Sequence, residues 1–588
     1  MSDEAPPNDP ADSAATLRQA AQLRDAGDFS GAAVLYRALS EKHPNEAGLW
    51  AMLGDTLRVA GDPASGADAL EKAAALAPED TDIAVEWALA LRESGDSTAA
   101  LAALAGLGLD DSPRGLAVQA DSLRDTGRFD KAIASYRRLL TVTPDNHGAR
   151  IGLGTCLQET GALDDAIACY EAVVAEEPDS AAALTNLGLA WSARGDLDRA
   201  EDFLQRAAAL DPNDPDTLCA WGALLQKRGR ADDAANAFGR ATSAAPGDAR
   251  AWSNLGNAYQ DLLRLDDALA AHDRAVSLAP NDGNLHWNRA MTLLLSGDLE
   301  AGFAAYEWRA ETRDHAPPAH DSPRWDGSDP AGKRLLLLAE QGFGDAIQFA
   351  RYAPLLQARG ATVFLQCHPK LTALFEALAG TPTVLSAGDT PPQVDAHAPL
   401  MSVPHLLGTT IDTIPGEPPY LRPPDGARRP PAVEGRRRIG LCWTGNPDHP
   451  DNAHRSLPFA AFAPLLRRTD IDWRSLQFGP GAADAAGHLP DDPAWTPCLE
   501  GFGITAAALE SCDLVITIDT STAHLAGALG RPVWLLLKYA PDWRWMVGRD
   551  DSPWYPTARL FRQAAPGDWA GVVNCLDAAL TAWMEPGC

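Results

Sequence analysis

The stretch Ala181–Pro212, AAALTNLGLAWSARGDLDRAEDFLQRAAALDP, spans most of one period of a pattern that runs through the first half of the chain. Its closing proline belongs to a series, Pro144, Pro178, Pro212, Pro246 and Pro280, at a constant step of 34 residues. A fixed step of that size means stacked units rather than one closed core. The other columns keep the step. A Leu-Gly or similar pair stands at Leu153-Gly154, Leu187-Gly188, Trp221-Gly222 and Leu255-Gly256, and a large residue follows at Leu157, Trp191, Leu225 and Tyr259. Next come a turn glycine (Gly161, Gly195, Gly229), a small alanine (Ala166, Ala200, Ala234, Ala268) and a bulky position (Tyr170, Leu204, Phe238, His272). The small residues let the two helices of a unit approach, and the bulky ones fill the space between units. Proline ends the second helix because it lacks an N–H and disfavours helix in the residue before it.

This helix–turn–helix pattern resembles the tetratricopeptide repeat. About nine units are present. Pro44 and Pro78 close the first two, residues 81–112 form a shortened third, residues 113–146 are the fourth, and the ninth runs from near Gly283 to Trp308-Arg309. The resemblance implies an α-solenoid with a concave groove that holds an extended peptide.

Composition narrows the partners. The 588 residues carry a net charge of −31, which argues against a nucleic-acid partner. Residues 1–316 hold about 51 acidic against about 27 basic side chains. That excess reads either as a solvated acidic surface or as a groove selecting a polar or basic partner. Nine scattered cysteines without a C-x-x-C pair argue for reduced thiols, and against a disulfide framework or a zinc site. The acidic, Pro-rich N-terminus is unlike a secretory signal, and no apolar run approaches membrane-spanning length. A soluble, cytoplasmic protein with no membrane partner is the expectation.

Near residue 316 the pattern changes. His315-Ala-Pro-Pro-Ala-His320 is a breaker-rich joint. Arg334–Ala339 reads as a buried strand, Gln341-Gly342-Phe343-Gly344-Asp345 as a turn, Ala346–Arg359 as a helix, Thr362–Gln366 as a strand and Lys370–Leu378 as a helix. This is a βαβ unit of a parallel sheet. A Pro-, Gly- and Arg-rich linker at 414–436 precedes a second such series. It has strands at Arg438–Trp443, Trp473–Gln477, Asp513–Ile518 and Arg531–Leu537, and helices at Phe459–Arg467, at Ile504–Glu510 and from about Ala523. The predicted organisation is a disordered N-terminus (1–12), a repeat array (13–316), and two Rossmann-like lobes (317–430 and 431–588). Ligands of such sheets bind at the carboxyl ends of strands, which places a site in the cleft between the lobes.

Three motifs carry a second resemblance. Residues 330–580 look like a GT-B glycosyltransferase, similar to the heptosyltransferases. The fusion to repeats also resembles the O-GlcNAc transferases and the bacterial flagellin glycosyltransferases. Gly342-Phe343-Gly344-Asp345 resembles a family motif whose aspartate is the proposed general base, which implies that role for Asp345. An inverting transfer needs one carboxylate beside the acceptor hydroxyl. The same position also suits N-capping. The loop Trp443-Thr444-Gly445-Asn446 to Asp451, ending His454-Arg455-Ser456, is a polar strand-to-helix connection. The resemblance implies a donor-phosphate contact for Arg455, where the family often has lysine; an ordinary ion pair and cap is the other reading. Asp519-Thr520-Ser521-Thr522-Ala523-His524 resembles the family's D-T-G-x-x-H loop, with Ser521 in place of glycine. A helix N-terminus with hydroxyls suits a phosphate, Asp519 suits sugar hydroxyls, and His524 suits the leaving group. Helix capping is the alternative for the Ser and Thr residues. The cluster Asp542–Tyr555 with Arg559 and Arg562 reads either as a base-stacking site or as a structural belt.

The O-GlcNAc transferases bind peptide backbone through concave asparagines. Asn186, Asn254 and Asn288 share one column, while Gly152 and Ala220 interrupt it. Neither a P-loop nor a G-x-S-x-G elbow is present. The reading is therefore an inverting glycosyltransferase that needs no metal or other cofactor. It would move a sugar from a nucleotide-activated donor, held by Gly445, Asn446, Arg455, Asp519, Thr520, Ser521, Thr522 and His524, to Ser or Thr of a protein. Flagellin is the acceptor the resemblance implies, with a nonulosonic acid among the possible sugars. A non-catalytic scaffold and a glycan-directed enzyme are the alternatives.

Overall fold

The computed structural model describes residues 10–108, 112–312, 314–380, 382–427, 435–449, 451–489 and 501–585. Of the N-terminus expected to be disordered (1–12), residues 1–9 lie outside the described residues, as do the end of the shortened third repeat (109–111) and linker residues 428–434, whereas residues 10–12 open the helix Pro10–Asp25. The chain divides into two compact units, Met1–Leu224 and Leu225–Cys588.

The first unit consists of paired helices. In the second, fifth and sixth pairs the column glycine faces the bulky residue of the second helix. A Cβ on Gly154 would lie 2.6 Å from the Tyr170 ring, and one on Gly188 would lie 2.5 Å from Leu204 Cγ. The small side chain is thus a condition of the helix–helix approach. Part of the acidic excess has a structural role. Asp28, Asp62, Asp96 and Asp196 each follow the turn and accept a backbone N–H in the first turn of the second helix. Asp80 caps a first helix in the same way. Each such cap contributes about 1 kcal/mol, and its charge complements the helix dipole. The shortened third repeat pairs Thr81–Glu93 with the seven-residue helix Ser97–Ala103.

The second unit opens with the remaining repeats. Helices Ala249–Asp261 and Leu265–Leu278 form the eighth; Gly283–Ser296 and Leu299–Tyr306 form the ninth, followed by a 3₁₀ turn at Glu307–Glu311. Two parallel sheets come next. The first contains β1 (Arg334–Leu338), β2 (Thr362–Cys367), β3 (Thr383–Ser386) and β4 (Ala396–Pro399) in the order β3-β2-β1-β4. The second contains β5 (Arg437–Cys442), β6 (Ile471–Ser475), β7 (Leu514–Ile518), β8 (Val533–Leu537) and β9 (Ala558–Arg562) in the order β6-β5-β7-β8-β9. All pairings between these strands are parallel. The chain order reverses between β1 and β4 in one sheet and between β5 and β7 in the other. These are the topological switch points, where open α/β sheets bind ligands.

Three local expectations need correction. The helix expected over Ala346–Arg359 is two, Phe343–Phe349 and Tyr352–Ala358, because Arg351 turns inward. Its buried guanidinium donates to the Trp554 carbonyl (3.0 Å) and the Tyr420 hydroxyl (3.2 Å), which outweighs helix continuity. The strand expected at Trp473–Gln477 is Ile471–Ser475: Gln477 has left the ladder to bond the neighbouring loop. Phe459–Arg467 is a 3₁₀ turn followed by one α-turn, Ala463–Leu466, with Pro464 at its start.

One apolar cluster joins the ninth repeat to both sheets. It includes Leu294, Phe303 and Tyr306 from the repeat, Leu337, Phe349 and Leu371 from the first lobe, and Leu525, Trp545 and Tyr555 from the second.

Candidate functional site

The loops leaving the switch-point strands meet in one cleft of about 690 Å³. From the first lobe come Glu340–Asp345, after β1. From the second come Thr444, Gly445, Asn446, Pro447, His449 and Arg455, after β5, and Asp519–Thr522, after β7. Asp345, Gly445, Asn446, Arg455, Asp519, Thr520, Ser521, Thr522 and His524 all line it. Residues more than 170 positions apart in sequence therefore share one cavity.

Asp345 sits three positions into its helix. Its Oδ2 accepts the Gly342 N–H at 2.8 Å, and its Oδ1 pairs with the Arg544 guanidinium. It both caps the helix and lines the cleft, so the two sequence readings describe one side chain. Arg544 is buried and crosses between lobes: Nη1 also donates to Asp542 (2.9 Å) and Nε to Gln348 Oε1 (2.9 Å). Burial would lower its pKa, but Asp345 and Asp542 raise it above the usual value.

The loop after β5 is braced from within. Gln477 Oε1 accepts the N–H groups of Trp443 and Thr444, both at 3.0 Å, and its Nε2 donates to the Thr444 carbonyl at 3.0 Å. Asn452 Oδ1 accepts from Gly445 N (3.1 Å) and Ser456 Oγ (3.1 Å). Gly445 is a close-approach position, since a Cβ there would meet Arg455 Nη2 at 2.7 Å. Asn446 Oδ1 accepts the Asp448 N–H at 3.2 Å and shapes the turn. The expected alternative of an Arg455 ion pair is not found among the described residues, and its buried Nε has no partner. Ser456 ends the short helix Asn452–Arg455 rather than starting one.

The helix Ser521–Ala528 begins after Thr520, whose side chain makes no capping hydrogen bond. Its first-turn N–H groups therefore have no hydroxyl cap at the cleft, which is an arrangement suited to an anion. Burial, and then the charge of Asp542, push the Asp519 carboxyl above the usual carboxylate range. Burial would do the same to Asp542, but Arg544 reverses this and holds it low. His524 is buried, and desolvation followed by nearby Arg544 lowers its pKa to about 3. Its imidazole is neutral at physiological pH, with Nδ1 3.0 Å from the Tyr555 hydroxyl. When Tyr555 donates to Nδ1, Nε2 carries the proton and becomes a donor. Gly344 packs on this ring across the lobes; a Cβ there would lie 2.8 Å from His524 Cδ2.

The Asp542–Tyr555 block resolves into a structural belt. Trp543, Trp545, Trp554 and Tyr555 are all buried, so they offer no free face for a base to stack on. From this block Asp542 and Arg544 alone line the cleft. Of the groove asparagines, Asn186 Nδ2 donates to Ala182 O of its own helix (2.8 Å) and Asn288 Nδ2 to Ser253 Oγ (2.9 Å). Asn254 is half-buried on helix Ala249–Asp261.

Sequence reasoning missed Gln477 and Glu340, and it placed Arg544 in the Asp542–Tyr555 cluster without its pairing to Asp345. Gln477 lies just past a strand end, as an amide among apolar residues, and that was the available signal. Glu340 and Arg544 carry no spacing signal, since their partners are distant in the chain.

Tetratricopeptide-repeat family models match residues 17–81 and 157–215, 123–184, and 249–282. Protein FlbA of Caulobacter vibrioides is 28% identical over 335 residues, covering 50% of this chain and 54% of that protein. The chain thus spans about half the length of this curated relative. The Cut9–Hcn1 APC/C hetero-tetramer is similar at 21% identity over 47% of this chain and 55% of that one (TM-score 0.36). A thermophilic tetratricopeptide-repeat protein of Thermus thermophilus is similar at 24% identity, over 31% of this chain and 100% of that one (TM-score 0.30). Among the described residues, no helix is long and apolar enough to cross a membrane. The N-terminal region is an array of tetratricopeptide repeats, followed by parallel α/β sheets, in a chain homologous to Protein FlbA.

Proposed function

We propose that the interlobe cleft is a glycosyl-transfer site, in which a nucleotide-activated sugar lies on the second lobe and a Ser or Thr hydroxyl of a protein enters beside Asp345. The observation that carries this reading is the convergence of both switch points on one cavity, with a carboxylate on one wall and an anion-suited helix start on the other. In this reading Asp345 takes the hydroxyl proton while the hydroxyl oxygen attacks the anomeric carbon. The bond to the nucleotide phosphate breaks with inversion, and the departing charge meets Arg455, the first-turn N–H groups and the Nε2–H of His524. Both Asp345 oxygens already accept one hydrogen bond, but each retains a second lone-pair position for the proton. The repeats recruit the acceptor, as such arrays generally bind protein partners; flagellin is the proposed acceptor.

The Arg544 pair favours one competing reading, a cleft that binds a ligand without reacting, because a carboxylate held by a guanidinium is a restrained base. Thermal-shift screening of the full chain with CMP, UDP, ADP and GDP, followed by intact-mass analysis of co-produced flagellin, tests the proposal. Nucleotide binding, a sugar-sized mass increase with the wild type, and none with Asp345→Asn are the expected results. Binding with no mass increase on any acceptor supports the scaffold, and no nucleotide binding refutes both.

A further inference from the structure

We infer that the ninth repeat is a positioning element of the transfer site proposed above, holding Asp345 from both lobes, rather than only the last segment of a recruiting groove. The inference rests on that functional reading. Three contacts carry it.

The buried Tyr306 hydroxyl, at the end of the repeat's second helix, lies 2.7 Å from Nε2 and 3.0 Å from Oε1 of Gln341. Gln341 occupies the left-handed region at φ 59°, an uncommon conformation for a residue with a side chain. It directly precedes Gly342, whose N–H holds Asp345 Oδ2. The repeat therefore restrains the strained residue that aims the loop.

Arg309, fully buried in the turn after the repeat, grips Glu340 with two bonds: Nε to Oε2 at 3.1 Å and Nη2 to Oε1 at 2.9 Å. Its remaining donors reach Glu307 (2.7 Å) and Ser402 (2.7 Å). Glu340 Oε1 also accepts the Met401 N–H at 3.1 Å. Glu340 follows β1 and Met401 follows β4, so one guanidinium ties both edges of the first switch point to the repeat. A planar fork does this in a way an ammonium cannot.

Phe303 meets Phe349 of the first lobe edge-on at 6.1 Å and Trp543 of the second at 5.7 Å. The residue after Trp543 is Arg544, the partner of Asp345 Oδ1. Both oxygens of Asp345 are thus located by groups anchored on the same repeat. Small displacements of a reacting group cost large factors in rate, so loosening these anchors should slow transfer without affecting the donor wall.

The test uses the full chain carrying Tyr306→Phe or Arg309→Lys, with Tyr136→Phe as a control that removes an equally buried hydroxyl from an earlier repeat. Transfer to purified flagellin is followed by intact mass with the sugar of the nucleotide selected by thermal shift, and nucleotide affinity is measured by calorimetry. The first two variants are expected to lower kcat about 5- to 20-fold, with nucleotide affinity within about twofold of wild type and an unchanged circular dichroism spectrum. Tyr136→Phe is expected to retain wild-type kcat. If Tyr306→Phe and Arg309→Lys both match wild type, or if Tyr136→Phe slows transfer equally, the inference is overturned. A wild-type chain that transfers nothing refutes the functional reading, and with it this inference.

Discussion

His272 offers the sharpest test of how the repeats are built. It occupies the bulky column held elsewhere by Tyr170, Leu204 and Phe238, and it is fully buried with no partner for Nδ1 or Nε2. A Cβ on Gly256 would lie 2.5 Å from its ring, the same contact that Gly188 makes with Leu204. Burial lowers its pKa to about 4, against a smaller raising effect of Asp273 and with a smaller lowering effect of Arg289. The folded state therefore holds a neutral imidazole, while the unfolded chain takes up a proton near the ordinary value of about 6.5. The pKa is depressed in a base, so His272 costs nothing by this route above about pH 6.5, and stability falls as pH drops from there toward 4. Linkage gives a loss of about 2 kcal/mol between pH 7.5 and 5.0, approaching about 3.4 kcal/mol in total. His272→Leu is nearly volume-conserving and removes both the titration and the unpartnered nitrogens, each worth about 1 kcal/mol or more. Urea unfolding followed by tryptophan fluorescence at the two pH values should show the variant more stable at pH 7.5. Its advantage should grow by about 2 kcal/mol at pH 5.0. Equal acid sensitivity of the two proteins would refute the reasoning.

Three further outcomes follow from the site. Arg455→Ala should weaken nucleotide binding about tenfold, or about 1.4 kcal/mol, because it removes a cation without an ion-pair partner among the described residues; calorimetry showing unchanged affinity would contradict this. Gly344→Ala places a methyl 2.8 Å from His524 Cδ2 and should both destabilise the chain by about 1–3 kcal/mol and suppress transfer. Gly527→Ala, with its Cβ 2.4 Å from the Tyr555 ring, should cost a similar amount in thermal unfolding, and an unshifted transition would show that the ring has room to yield.

The repeats were readable because each column reports a contact within one unit or with its neighbour. Gly188 and Leu204, sixteen positions apart, predict their own packing. The βα turns were readable for the same reason: Gly342–Asp345 and Asp519–Thr522 each follow an apolar run and precede a helix. What local pattern left open was competition. Arg351 broke an expected helix for partners as far away as Trp554. Gln477 left an expected strand to brace Thr444. The tryptophans of 543–554 looked equally suited to stacking a base, because a sequence marks an aromatic as apolar without saying which surface covers it.

The amino-acid order alone therefore determined the unit length, the two series of parallel strands and the loops able to line a cleft, since periodicity and turn chemistry act over a few residues. Only the tertiary structure decided that Arg544 holds Asp345, 199 positions away, that Arg309 binds Glu340, and that Tyr306 of the last repeat meets Gln341 beside the cleft. Those pairings depend on strand order and lobe packing, which bring distant side chains together through burial and geometry that no local spacing encodes.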